Sequence, residues 1–141
     1  MKLADWQDTQ IFSIIDATME IYRQLGYGFI TAVYKDAAVI EFSLRNIPFQ
    51  HDVLIPIKYK DHLMPTHCRA DFICFSDIFI EFKAVPNLSV IEETQALNHM
   101  KATRIRRGLL INFGYPDLQY KILDLDCEAV RDLKNEPASS A

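Results

Sequence analysis

A chain of 141 residues, half of them hydrophobic and 24% charged, has the make-up of one soluble domain and is too short for two ordinary ones. Its 15 basic and 19 acidic side chains leave a formal net charge of −4, which argues against broad, charge-driven binding of nucleic acid. No apolar run approaches the ~20 residues of a membrane helix, which excludes a spanning helix. Met1 to Asp8 contain no signal-peptide core with a cleavage site. Cys68, Cys74 and Cys127 form no CxxC pair and read as reduced thiols, so a cytoplasmic setting is expected. One local basic patch exists, Lys101, Arg104, Arg106 and Arg107, whose simplest reading is a solvated helix end.

From about Thr9 to Leu25, the residues Ile11, Ile15, Thr18, Tyr22 and Leu25 recur at helical spacing, and Phe12, Ile14 and Met19 widen the stripe. Gly26 and Gly28 stop this helix. A second helix is predicted from about Ile30 to Arg45. It has one apolar face of Val33, Ala37, Ile40 and Leu44 and an adjoining one of Thr31, Tyr34, Ala38 and Phe42. Pro48 ends the helical pattern. Val53, Ile55 and Ile57 then alternate with Leu54, Pro56 and Lys58 as a strand, with Lys60, Asp61 and His62 as its turn.

After Met64 and Pro65, the run from Arg69 to Lys83 reads as two strands joined by a tight turn at Ser76 and Asp77. Phe72 to Phe75 and Ile78 to Phe82 are apolar on both sides, as suits strands covered on both faces. Ser89 with Glu92 forms a capping box that opens a helix reaching about Thr103. Gly108 to Phe113 is a buried strand, and Leu118 to Leu125 is a further strand or edge that offers a surface for pairing two copies as a homo-oligomer. From Arg131 the chain turns polar, so the expected domain is 1–130 with a disordered tail over 131–141. The order is helix, helix, strand, strand, strand, helix, strand. It predicts an α/β fold of three layers, α/β/α, around a mixed central sheet, with an antiparallel meander and a crossover helix leading to a parallel strand.

The chemistry concentrates in the hairpin. Side chains two apart on a strand point the same way, so Glu81 and Lys83 share a face, and Asp71 lies on the preceding strand. An ion in so apolar a setting is costly unless it is paired or binds a metal. A carboxylate pair from adjacent strands with a lysine beside it suits Mg²⁺ and phosphodiester cleavage. The lysine can position a water, accept its proton or pair with phosphate. The plainer reading is an ion pair at a strand end, with Asp71 as a capping acid. Phe72, Phe75, Phe79 and Phe82 are core filling before they are a stacking platform. His62 and His67 have no carboxylate at metal spacing. Tyr34 is either core or a hydroxyl reaching the site.

Asp71 followed by Glu81, Phe82 and Lys83 resembles the PD-(D/E)xK nuclease motif of the restriction-endonuclease-like fold. The run from about Ile21 to Leu125 is similar to the small bacterial and archaeal GxxExxY proteins. The likeness is carried by Gly28 and Tyr34, Arg69 to Asp71, Glu81 to Ala84, Glu93 to Gln95, and Gly108 to Phe113. It implies Asp71 and Glu81 as ligands of Mg²⁺ or Mn²⁺, with the Phe82 backbone carbonyl as a third. It further implies Lys83 as the catalytic lysine, Gln95 beside the site, and DNA or RNA as partner.

Two positions depart from the pattern. Thr31 stands where a glutamate is expected, and Glu41, ten residues on, lies ~15 Å further along the helix. His99 stands where the QxxxY pattern has tyrosine. Gln95 and His99 share a face turned away from the expected core stripe of Val90, Leu97 and Met100, so His99 is expected to be a surface or satisfied histidine. Two functions follow: a Mg²⁺-dependent phosphodiester hydrolase acting on nucleic acid, or a catalytically degenerate member serving as a nucleic-acid-binding or assembly module.

Overall fold

The first amphipathic run folds as α1, Thr9–Leu25, in a computed structural model that describes residues 9–125. It buries Ile11, Ile14, Ile15, Ala17, Thr18 and Ile21, while Phe12 and Met19 remain exposed, so the apolar stripe is narrower than expected. Gly26 ends the helix at φ +74°, a left-handed conformation that glycine adopts without steric penalty, and its amide donates to the Tyr22 carbonyl at 2.8 Å.

Helix α2, Thr31–Leu44, buries Tyr34, Ala38 and Phe42. The Val33, Ala37, Ile40, Leu44 face is not the core face, because Ile40 and Leu44 are 62% and 72% exposed. Both stripes are apolar, so periodicity alone leaves the choice open. The aromatic stripe wins through its partners: Tyr34 stacks on Phe113 with ring centroids 4.2 Å apart, and Phe42 meets Phe72 edge-on at 5.1 Å. The Tyr34 hydroxyl donates to the Gly26 carbonyl at 2.6 Å and accepts from the Phe29 amide at 3.2 Å, so this tyrosine is core and ties down the α1–α2 loop.

Five strands follow: β1 (Phe49–Tyr59), β2 (His62–Cys74), β3 (Ile78–Lys83), β4 (Arg107–Asn112) and β5 (Gln119–Asp124). Their order in the sheet is β1-β2-β3-β4-β5. The first three form the expected antiparallel meander, β4 runs parallel to β3, and β5 returns antiparallel along one edge. The β1–β2 hairpin is longer than expected, pairing up to Tyr59 and His62 across a turn at Lys60 and Asp61. Its prolines are tolerated because Pro56 lies on the edge strand β1. Pro65 lies in the part of β2 that β3 leaves uncovered, since β3 pairs only with Phe72 to Cys74.

Helix α3, Val90–Thr103, carries the expected capping box: Glu92 Oε1 accepts from the Ser89 amide at 2.7 Å and Ser89 Oγ from the Ile91 amide at 3.3 Å. The sheet is covered on both faces. On one, α1 and α2 pack over Phe72, Ile78, Ile80, Phe82, Leu109 and Ile111. On the other, Ala96 and Met100 of α3 pack over Ile73, Phe79 and Leu110. Val90 is 75% exposed, so the core stripe of α3 is Ala96 and Met100 with Leu97 at its flank. Burial pushes the Cys74 thiol up to about 12, as suits an inert reduced cysteine. Among the described residues no helix is long and apolar enough to cross a membrane. Met1 to Asp8, Cys127 and the tail expected over 131–141 lie outside the described residues.

Candidate active site

Strands β2 and β3 pair through Phe72 with Ile80 and Ile73 with Phe79. Continuing that register sets Asp71 across from Glu81, and there the ladder stops. Asp71 Oδ2 instead accepts the Phe82 amide at 2.7 Å. Glu81 and Lys83 do share a face, with Lys83 Nζ 3.3 Å from Glu81 Oε2. Glu81 is only 5% exposed, and both its oxygens are partnered.

The second partner comes from α3. His99 Nδ1 lies 3.0 Å from Glu81 Oε1, and Gln95 Oε1 accepts from Lys83 Nζ at 3.2 Å. Gln95 is therefore beside Lys83. Of the two expectations for His99, surface or satisfied, the second holds: it is a half-buried histidine partnered by Glu81. The reason is where the helix lies. Ala96 and Met100 rest on the apolar middle of the sheet, and the adjoining Gln95–His99 stripe overhangs its carboxylate end.

Two further site residues escaped the sequence reading. Lys35 of α2 reaches Asp71 Oδ1 at 3.3 Å and Asp52 Oδ1 at 2.8 Å. Asp52 adopts φ +52° within β1 and falls between the His51–Phe72 and Val53–Ala70 pairs, opposite Asp71. The available signal was that Lys35 lies four residues after Thr31 and so projects to the same side of α2. Glu41, by contrast, is engaged by Arg45 at 2.6 Å.

Asp71, Asp52 and Lys35 titrate away from their ordinary values. Burial pushes the Asp71 carboxyl above its usual range, and the nearby Glu81 charge adds to this, while the Phe82 amide and Lys35 pull it back. The hydrogen bond from Lys35 holds Asp52 below the usual range. Burial opposes the Lys35 charge, but its bonds to Asp52 and Asp71 outweigh that and raise it.

Two facing carboxylates, each neutralised by a lysine, fit one divalent ion by the chemistry of their donors. Hard oxygens in this number suit Mg²⁺ or Mn²⁺, which take few carboxylates and keep several waters. The described residues contain no cluster of three or more His, Cys, Asp and Glu groups able to hold a metal.

The basic patch lies elsewhere. Arg107 pairs with Ile78 at the start of the β3–β4 ladder, five residues or ~17 Å along the strand from Lys83, and bonds Asp77 at 3.0 Å. A third missed residue does support the site. Buried Asn112, paired with Lys83 in the ladder, accepts from the amides of Val85 and Gly114 and donates to the Val85 carbonyl and Gln119. Its signal was a lone amide ending an apolar strand, which must find partners when buried.

The sequence profile of the PD-(D/E)XK nuclease superfamily matches residues 8–123, most of the chain. The crystal structure of SSO0001 resembles the fold with a TM-score of 0.52 at 17% identity, over 67% of this chain and 50% of that one. The chain thus spans half the length of that protein, and the likeness concerns the restriction-endonuclease-like fold. No curated protein matches the sequence at a significant level. The chain belongs to the PD-(D/E)XK nuclease superfamily, whose nucleases generally use divalent metals.

Proposed function

We propose that this member of the PD-(D/E)XK nuclease superfamily is a metal-dependent phosphodiester hydrolase acting on nucleic acid. The reading is carried by the convergence of Asp71, Glu81 and Lys83 at one end of β3, under Gln95 and His99 of α3. The narrower likeness to GxxExxY proteins agrees with it. Asp71 and Glu81 would hold Mg²⁺ or Mn²⁺, with the Phe82 carbonyl as a third donor. Such an ion neutralises charge developing on the phosphate and lowers the pKa of bound water. Lys83, steadied by Gln95 and Glu81, orients the attacking water and meets the phosphate. His99 keeps Glu81 in place, a task that falls to it where the QxxxY pattern has tyrosine.

A second reading, a degenerate member that binds nucleic acid or a partner protein without cutting, is favoured by one observation. The α2 side chain that meets Asp71 is a lysine, and Thr31 replaces the expected acid.

Thermal melting in rising Mn²⁺, together with cleavage assays on single- and double-stranded DNA and RNA, separates the two. The wild type is expected to melt higher as Mn²⁺ rises and to cut at least one polymer. Asp71→Asn should lose both responses. Without metal, however, Asp71→Asn should melt above the wild type at neutral pH. A carboxyl with a raised folded-state pKa adds no penalty below its unfolded value. The penalty grows as pH climbs through the ordinary carboxylate range to the raised one, so the difference should shrink on acidification. A wild type with no Mn²⁺ response and no cleavage leaves the degenerate reading in possession.

A further inference from the structure

Lys35 stands between two carboxylates on neighbouring strands, and its shorter contact, 2.8 Å, goes to Asp52, the acid outside the candidate metal pair. Asp52 is set up for this position. Its left-handed φ of +52°, which aspartate tolerates better than most residues, interrupts the β1–β2 ladder beside Asp71. Arg69 Nη1 donates to its carbonyl at 3.1 Å, and His51 Nδ1 lies 3.4 Å from its second oxygen. At Asp71, the Phe82 amide takes Oδ2, so Oδ1 is the oxygen left for an incoming ion, and it is the one Lys35 holds at 3.3 Å. The Lys35 and Asp71 side chains are 27% and 19% exposed, so solvent screens this contact less than an ordinary surface pair.

We propose that Lys35 is a resident counter-ion that competes with the divalent metal for Asp71, and that Asp52, already its closer partner, retains the ammonium when the metal displaces it from Asp71. The proposal rests on the metal reading above. It makes Lys35 a positioning residue that sets the metal concentration at which the site loads: the lysine neutralises Asp71 when metal is scarce, and Asp52 lowers the free-energy cost of its release from Asp71.

The test is Mn²⁺ affinity of the full chain by calorimetry, with no cleavage readout. Lys35→Met should bind Mn²⁺ about tenfold tighter or more, since one competing positive charge is gone from the site. Lys35→Gln, equally uncharged but polar, should match it and guards against a folding defect in the first variant. Asp52→Asn should weaken binding, and by a larger factor with Lys35 present than in the Lys35→Met background. Two results overturn the proposal: Lys35→Met and Lys35→Gln binding no tighter than wild type, or an equal Asp52→Asn penalty in both backgrounds. If Asp71→Asn still abolishes binding in that case, the metal reading survives alone. No Mn²⁺ bound by any of these proteins removes both.

Discussion

Lys83→Ala is expected to lower metal-dependent cleavage by about 10²–10⁴-fold, the usual contribution of a positioned proton-transfer group. The fold should survive, because Lys83 is at the last position of β3, its side chain is 24% exposed, and its partner Glu81 keeps the His99 contact. Mn²⁺ binding should not weaken, since a cation is removed and no carboxylate is lost. Lys83→Arg should rescue little: the planar, strongly basic guanidinium cannot take a proton and does not reproduce the two contacts at 3.2 and 3.3 Å made by one ammonium. Gln95→Ala should give a smaller loss of the same kind, because it frees the ammonium without removing it. Single-turnover cleavage at saturating Mn²⁺, with circular dichroism as the folding control, measures all three. Equal rates for wild type and Lys83→Ala would remove the lysine from the chemistry.

Asn112→Leu is expected to cost about 3–5 kcal/mol of stability, from several buried hydrogen-bonding groups stranded at once. Asn112 is fully buried. Its Oδ1 accepts from the amides of Val85 and Gly114 at 2.9 and 3.0 Å, and its Nδ2 donates to the Val85 carbonyl and Gln119 Oε1, each at 2.9 Å. Leucine fills the same space but leaves both main-chain groups of Val85 and the Gly114 amide without that partner. Against a typical domain stability of ~5–15 kcal/mol, this approaches unfolding.

Gly114→Ala attacks the same contact sterically. An added Cβ would lie 2.4 Å from the Val85 carbonyl oxygen and 2.5 Å from its nitrogen, backbone atoms that cannot swing aside. About 3 kcal/mol is expected there. Because Val85 lies two residues beyond Lys83, either variant that still folds should also lose catalytic rate. Urea denaturation gives the stabilities, and a loss below about 1 kcal/mol for Asn112→Leu would show that Asn112 is not what holds the segment after β3.

Much of this was legible in the sequence because it depends on neighbours along the chain. Strand alternation puts Glu81 and Lys83 on one face wherever the strand ends up, and the Ser89–Glu92 box marks a helix start by local hydrogen bonds. The order of elements constrained the mixed sheet, since a helix between two strands makes a parallel connection natural. The motif spacing of Asp71, Glu81 and Lys83 belonged to the same class of information.

What sequence alone left open depended on partners far along the chain. Helix α2 offers two apolar stripes, and only the rings of Phe72 and Phe113 on the facing sheet select Tyr34 and Phe42 for burial. His99 was expected to be surface or satisfied, and which of the two depended on α3 overhanging a charged sheet end where it meets Glu81. Asp52 and Lys35 are 17 residues apart, and their pairing depends on a left-handed residue in β1 that no local pattern announces. By itself, therefore, the sequence indicated the fold class through the order of its elements, the shared face of Glu81 and Lys83 through strand alternation, and the candidate set with Asp71 through a motif resemblance. Only the tertiary structure decided what stands against those acids: His99 on Glu81, and on Asp71 the ammonium of Lys35. Burial and charge pairing are properties of the packed elements together and of no single segment.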